Sequence, residues 1–363
     1  MDGEVIKLFF FDTGTTLSAD TVKDLFKNPE DFSKLEYNTP TPEELPIFTL
    51  PQVFNLKSSE IEIEGEKIKA KVQVAIFELG TYSIRVRMPL EHVDEDMLAK
   101  IAFDKGVATS VEQIMAKAKT KVENTLSKQL TINTERITEQ YNFYFINDTK
   151  ANVLKSSRGL IAGLLVDEPN ANKMDNNYVA SIISKNISYY NDDAFFVGWE
   201  GAVLIDVLKS IDYELLMAEI ANVQLLKLRI YKNKTSDMLK ATGSKVEELD
   251  RMGSVHTVFS NKAIRLNTKL SLFLDDLNET MNRIENTVFG LGEWYLSKIY
   301  ALFASVFEIN ELKESVEKDA TKIVARKAIV NEKIAERRND TLELIIILLI
   351  VLEIIVELAY ILK

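Results

Sequence analysis

Cysteine is absent from the chain, and only two histidines occur, His92 and His256. Disulfides, thiolate metal sites and cysteine nucleophiles are therefore excluded, and no zinc site built on several histidines is possible. A Ser-His-Asp triad would have to use one of those two rings. Asp12-Thr13-Gly14 is the tripeptide of aspartic proteases, but it occurs once, and that chemistry needs two carboxylates sharing a proton. It reads as a strand end and a turn. Ser156-Ser157-Arg158-Gly159 precedes an apolar run, and a helix start can hold an anion, so Ser157 and Arg158 are candidate ligand residues. Trp199-Glu200-Gly201 reads as a junction between two strands, with Trp199 either in a core or against a ligand. No Walker pattern and no Gly-x-Gly-x-x-Gly appears. No catalytic, cofactor-binding or metal residue is assigned, no cofactor is expected, and the chain reads as a non-enzyme more than an enzyme.

The second pair with possible chemistry, Glu353 and Glu357, sits in the aliphatic segment Leu344–Leu362. Four residues apart, they share one helix face, which suits helix association in a membrane or a proton path. About 16 apolar residues at roughly -0.3 to -0.6 kcal/mol each outweigh or balance two acids at about 2.5 to 3.5 kcal/mol each. That balance predicts one transmembrane helix over 341–362. Lys333, Arg337 and Arg338 precede it and only Lys363 follows. Arg337 and Arg338 would then set the topology, with the body on the cytoplasmic side.

These residues need elements to position them. The 363 residues allow about two domains, and the net charge of -11 disfavours nucleic acid as a partner. Val5 to Phe11 is an apolar run that reads as a strand. Alternating stretches Glu60–Ile63, Ile68–Phe77 and Tyr82–Met88, separated by Gly65 and Gly80, predict an antiparallel meander. Helices are predicted over 94–103 and 109–129. Further strands are predicted over 141–147, 186–190, 194–199 and 202–206. Beyond 208 the pattern is helical. Gly243 and Gly253 suggest a turn between 234 and 254. Ala263, Leu270, Leu277 and Ile284 recur every seven residues, as do Leu302, Ile309, Val316, Ile323 and Val330. The fold class is thus an α+β region over 1–207, a helical or coiled-coil region over 208–340, and a membrane helix over 341–362. The two long helices would pair within a chain, between chains, or both.

Three stretches carry a resemblance to a known family. They are Ser188-Tyr189-Tyr190-Asn191-Asp192-Asp193-Ala194-Phe195-Phe196, the run from Glu219-Ile220-Ala221-Asn222 to Lys227-Leu228-Arg229, and Glu336-Arg337-Arg338 through Leu362. With the opening Lys7-Leu8-Phe9-Phe10-Phe11, they resemble the required-for-meiotic-nuclear-division family. That resemblance implies a membrane-anchored protein with no established enzymatic activity.

The functional expectation is a tail-anchored scaffold or tether. Its partners would be the lipid bilayer, an unidentified protein, and further copies of the chain through the helices. The alternatives are a membrane-bound enzyme or ligand sensor with a pocket in the N-terminal domain, and a subunit of a membrane complex using Glu353 and Glu357.

Overall fold

The computed structural model describes residues 1–26, 32–35, 50–63, 65–132, 137–207, 211–251, 262–289 and 294–361. His256, Gly253 and most of the proline-rich stretch before Pro51 lie outside the described residues. Two compact units are present: Met1–Ile230 with Asn282–Glu311, and Tyr231–Met281 with Leu312–Lys363.

In the first unit, β1 (Gly3–Asp12) is the near-continuous apolar strand expected when both faces are covered. It pairs antiparallel with β5 (Thr81–Leu90) on one edge and β6 (Glu139–Ile146) on the other. The predicted meander is present as β3 (Gln52–Ile63), β4 (Glu66–Phe77) and β5. Gly65 and Gly80 hold positive φ at its two turns. β2 (Ser33–Leu35) extends that edge. On the other side β6 runs parallel to β9 (Gly201–Ile205), which pairs with β8 (Ala194–Val197), and β8 pairs with β7 (Asn186–Ile187). The result is one nine-stranded sheet, ordered β2-β3-β4-β5-β1-β6-β9-β8-β7.

Strand alternation gives this sheet two apolar faces, and both are covered. Val5, Phe9 and Phe11 point into a core shared with α1 (Ala19–Leu25), α2 (Glu95–Phe103), α3 (Lys105–Leu126), α4 (Lys150–Ser156), α5 (Arg158–Val166) and α6 (Asn176–Ile183). The chain then enters α7 (Asp212–Arg251), α8 (Lys262–Phe289), α9 (Trp294–Val306) and α10 (Ile309–Ile361). The opposite face of the sheet meets α9 through aromatic edges, with Tyr141 5.9 Å from Phe303 and Phe195 5.8 Å from Phe303.

Charge also fixes α7 to that face. Arg85 on β5 is 1% exposed and donates from Nε and Nη2 to the Glu219 carboxylate at 2.7 and 2.6 Å. Ser83 Oγ donates to the same carboxylate at 2.6 Å. Two turns further along α7, Lys227 pairs with Asp12 at the end of β1. Next comes Arg229, which donates to both oxygens of Glu139 on β6 at 2.6 and 2.7 Å.

The second unit is a three-helix bundle. Met238 and Leu239 of α7 pack with Ala263, Leu266, Leu270 and Leu274 of α8 and with Ile323 and Val330 of α10. The heptad positions thus form a seam, with a third helix joining the predicted pair. Within the stretch 234–254, where a turn is expected, α7 passes through Gly243 and continues to Arg251; residues 252–254, with Gly253, lie outside the described residues. The Arg326 guanidinium lies 3.4 Å from where a Cβ on Gly243 would sit and donates to Leu239 O. Helix α7 continues through this glycine to Arg251 despite its low helix propensity, packed in the bundle with α8 and α10.

The predicted transmembrane helix is not borne out. Among the described residues no helix is long and apolar enough to cross a membrane. The segment 341–361 is the end of α10, and Glu343, Glu353 and Glu357 divide it. Its longest uncharged run, Leu344–Leu352, spans about 13.5 Å as a helix, under half of the roughly 30 Å hydrocarbon layer. Favourable transfer summed over the whole segment overstated what any stretch between acids supplies. The tail anchor, the single-pass topology and the body's cytoplasmic placement by Arg337 and Arg338 go with it, and so do the membrane-bound tether, sensor and complex-subunit readings.

The clamp on α7 makes a stability prediction. Removing one partner leaves a buried charge unpaired, so Glu219→Ala should cost about 3–5 kcal/mol in urea denaturation. The double replacement Arg85→Met with Glu219→Leu should recover most of that loss. A loss under about 1 kcal/mol for Glu219→Ala would show that the pair does not hold the helix.

Candidate functional site

One charged residue interrupts the apolar face that β1 turns toward α2 and α3. Lys7 follows Val5 and precedes Phe9 on that face, and it lies directly across from Asn142 on β6. Gln140 sits across from Phe9, so two amide side chains flank the lysine along the neighbouring strand. Helix α3 contributes Val111 and Glu112, and α2 contributes Ala102 and Phe103. Asp167 caps the C-terminus of α5 in the left-handed region, φ +55°. These groups line a cavity of about 280 Å³. Lys7, Phe9 and Asn142 make its more buried part, whereas Glu112, Gln140 and Asp167 are exposed.

The electrostatics of Lys7 follow from that placement. Burial removes its ammonium from water and pulls its pKa down to about 8, while the nearby Asp167 carboxylate acts in the opposite sense. Its Nζ donates to Ala102 O at 3.1 Å, at the carbonyl end of α2, where a cation is favoured. The amine also lies 5.8 Å from the centroid of the Tyr144 ring. An ammonium carries three donors, and among the described residues one acceptor is in place. The Tyr144 hydroxyl is likewise buried and without a hydrogen-bond partner among the described residues. Burial and the Asp167 charge both raise its pKa, so it stays a neutral donor.

The residues singled out from sequence fall elsewhere. Ser157 is buried, and its Oγ donates to Glu95 Oε1 at 2.6 Å. A carboxylate therefore occupies the place foreseen for an anion, and Arg158 beside it is exposed. Trp199 is 42% exposed rather than in a core. The turn Gly198–Gly201 lies so close to α5 that a Cβ on Gly198 would meet Leu165 O at 2.2 Å. Arg229 stacks over the ring at 5.6 Å and Phe307 meets it edge-on at 5.7 Å. Trp199 lines a surface cleft with Tyr178, Lys185 and Glu308, and neither Ser157 nor Arg158 lines it. Glu353, Glu357 and Arg338 are exposed on α10, and Arg337 belongs to the same helix. Asp12, of the Asp-Thr-Gly tripeptide, is committed to Lys227. No cluster of three or more His, Cys, Asp or Glu positioned for a metal occurs among the described residues.

Sequence reasoning passed over the Lys7 cavity. The one available signal was a lone charge inside Val5–Phe11; its partners lie more than ninety residues further on.

Comparison with known proteins gives a family without an assigned activity. Residues 2–210 match the family described as "Uncharacterized protein MJ0711, N-terminal domain". A curated relative, Uncharacterized protein MJ0711 of Methanocaldococcus jannaschii, is 22% identical over 230 residues, which is 62% of this chain and 68% of the relative. No solved structure matches.

The lowered pKa of Lys7 has a thermodynamic signature. Below pH 8 the lysine is protonated in both folded and unfolded chains, and the native state bears the full burial penalty. Between about 8 and the ordinary lysine value of 10.5 the unfolded chain retains a proton that the native chain has lost. Stability relative to Lys7→Met should therefore rise with pH across that window. Urea denaturation at pH 7, 8.5 and 10 measures it; parallel profiles for the two proteins would contradict the assignment.

Proposed function

The chain belongs to the family of the MJ0711 N-terminal domain, and from that premise we propose that its α/β unit binds a small amino-acid-like zwitterion in the Lys7 cavity. The observation that carries the reading is the Lys7 ammonium lining the cavity, with three donors and one acceptor in place among the described residues. A buried donor left unpaired costs about 1–3 kcal/mol, and a ligand carboxylate that accepts from Lys7 recovers part of that. The volume of about 280 Å³ lies at the small end of ligand sites and suits a compact metabolite rather than a nucleotide.

The rim narrows the chemistry further. Glu112 and Asp167 are acidic and line the exposed side of the cavity. They repel a polyanion such as a phosphate ester and attract an amine. A single carboxylate at the Lys7 floor and an ammonium toward the rim match this arrangement of charge. Asn142, which lines the cavity across from Lys7, supplies amide donors and an acceptor.

The likeness to the required-for-meiotic-nuclear-division family stands beside this as a separate proposal about ancestry. In its favour, the stretch Glu219–Arg229 contains three of the charges that hold α7 to the sheet: Glu219, Lys227 and Arg229. It adds nothing to the ligand.

Isothermal titration of the full chain with the common amino acids, and with carboxylic acids of the same skeleton lacking the amine, tests the reading. At least one amino acid should bind, and Lys7→Met should weaken it about 10- to 100-fold, the loss of one charge-assisted hydrogen bond. Asp167→Asn should weaken the amino acid more than its amine-free counterpart. Binding should also fall as pH rises through about 8, where Lys7 gives up its charge. Equal binding by wild type and Lys7→Met, or no binding across both series, would contradict the reading.

A further inference from the structure

Lysine amines are nucleophiles only when they have lost their proton, and Lys7 is placed to lose it. Lys227, buried in the same unit, is tied to the Asp12 carboxylate. Lys7 Nζ has instead one hydrogen-bond partner among the described residues, the Ala102 carbonyl. Phe9, Phe103 and Val111 line the cavity beside it, and the carboxylates of Glu112 on α3 and Asp167 after α5 stand at the exposed side. A desolvated lysine in an apolar pocket is an activated amine. With its pKa drawn down to about 8, Lys7 is unprotonated in about one molecule in ten at pH 7. An ordinary lysine is so in under about one in a thousand.

We propose that Lys7, at the floor of this cavity, captures a small aldehyde as a reversible covalent imine. The ammonium first gives one proton to solvent. The free electron pair on Nζ then attacks the carbonyl carbon, a proton passes from nitrogen to oxygen, and a neutral carbinolamine forms. Its hydroxyl takes one proton at the open rim and leaves as water while nitrogen closes the C=N bond. In sum, one ammonium and one aldehyde give one protonated imine and one water, with no change of oxidation state. The positive charge is therefore kept at a place where the Asp167 carboxylate favours a cation. Asn142, directly across on β6, brings an amide donor to the same cavity for the carbinolamine oxygen. Glu112 and Asp167 repel aldehydes that carry a phosphate or a carboxylate, so the ligand class is a compact aldehyde that is neutral or bears an amine. This goes beyond the amino-acid reading: it shares the cavity and the amine with it and differs in the ligand.

Treating the full chain at pH 7 with propanal and sodium cyanoborohydride, which fixes each imine as a stable propylamine, tests the proposal by peptide mass mapping. Fragment spectra separate Lys7 from the Met1 amine. In the initial phase Lys7 should be propylated at least about 10-fold faster than any other lysine. Ala108 is exposed on α3 and lines the cavity, so Ala108→Trp fills the opening and leaves Lys7 in place. That variant should lower propylation of Lys7 about 10-fold, with the other lysines labelled as before and helical circular dichroism unchanged. Propylation of Lys7 no faster than that of surface lysines, or equal labelling of Lys7 in wild type and Ala108→Trp, would overturn the inference. If an amino acid nonetheless binds in the titration above, only the imine chemistry fails and the amino-acid reading stands.

Discussion

Strand β1 has no free edge and no free face. It is hydrogen-bonded to β5 and β6 along its length, and helices cover the sheet on both sides. A polar side chain on such a strand is largely withdrawn from water, and it finds its partners inside the protein. Two charges of β1 meet that constraint in opposite ways. Asp12 is neutralised by Lys227 from α7. Lys7, on the face toward α2 and α3, finds a single carbonyl and a cavity. The difference between a closed ion pair and a half-satisfied amine separates the structural charges of this unit from its candidate site.

The structural charges have a common purpose. Glu219, Lys227 and Arg229 lie along about three turns of α7 and engage β5, β1 and β6 in that order. Apolar packing alone tolerates sliding of a helix over a sheet; a bidentate fork with fixed geometry does not. Buried pairs contribute little net stability against an apolar alternative, so their effect here is to specify the position of α7 across three adjacent strands. The same helix then continues past Ile230 into the second unit, where Lys232 holds Asp319 of α10 at 2.6 Å. Its hydrogen bonds to Lys232 and Lys322 keep the Asp319 carboxyl below its ordinary range.

Elements with a clear period were legible before any coordinates. The alternation of Ile68–Phe77 and Tyr82–Met88 around Gly80 produced the meander, and the sevenfold repeat of Ala263, Leu270 and Leu277 produced a buried seam. Local signals failed where tertiary contacts outvoted them. Gly243 did not end α7, which runs on to Arg251 in a bundle with α8 and α10. Trp199 did not enter the core: it is half-exposed between Arg229 and Phe307. The terminal apolar segment did not qualify as a span, because the average over its length concealed where Glu343, Glu353 and Glu357 fall. The cavity was out of reach for a different reason. Its polar groups come from positions 7, 112, 140, 142 and 167, and only strand register and the left-handed cap at Asp167 bring them together.

The central claim is that Lys7 is a desolvated amine facing a cavity and not an ordinary surface lysine. Its ionisation can be read directly by following lysine 13Cε resonances of the labelled full chain from pH 6 to 11, with Lys7→Met to assign the signal. One resonance should titrate near pH 8 and vanish in the variant. If every lysine, including the one lost on substitution, titrates near the ordinary value of about 10.4, then Lys7 is solvated and the account of the site is wrong.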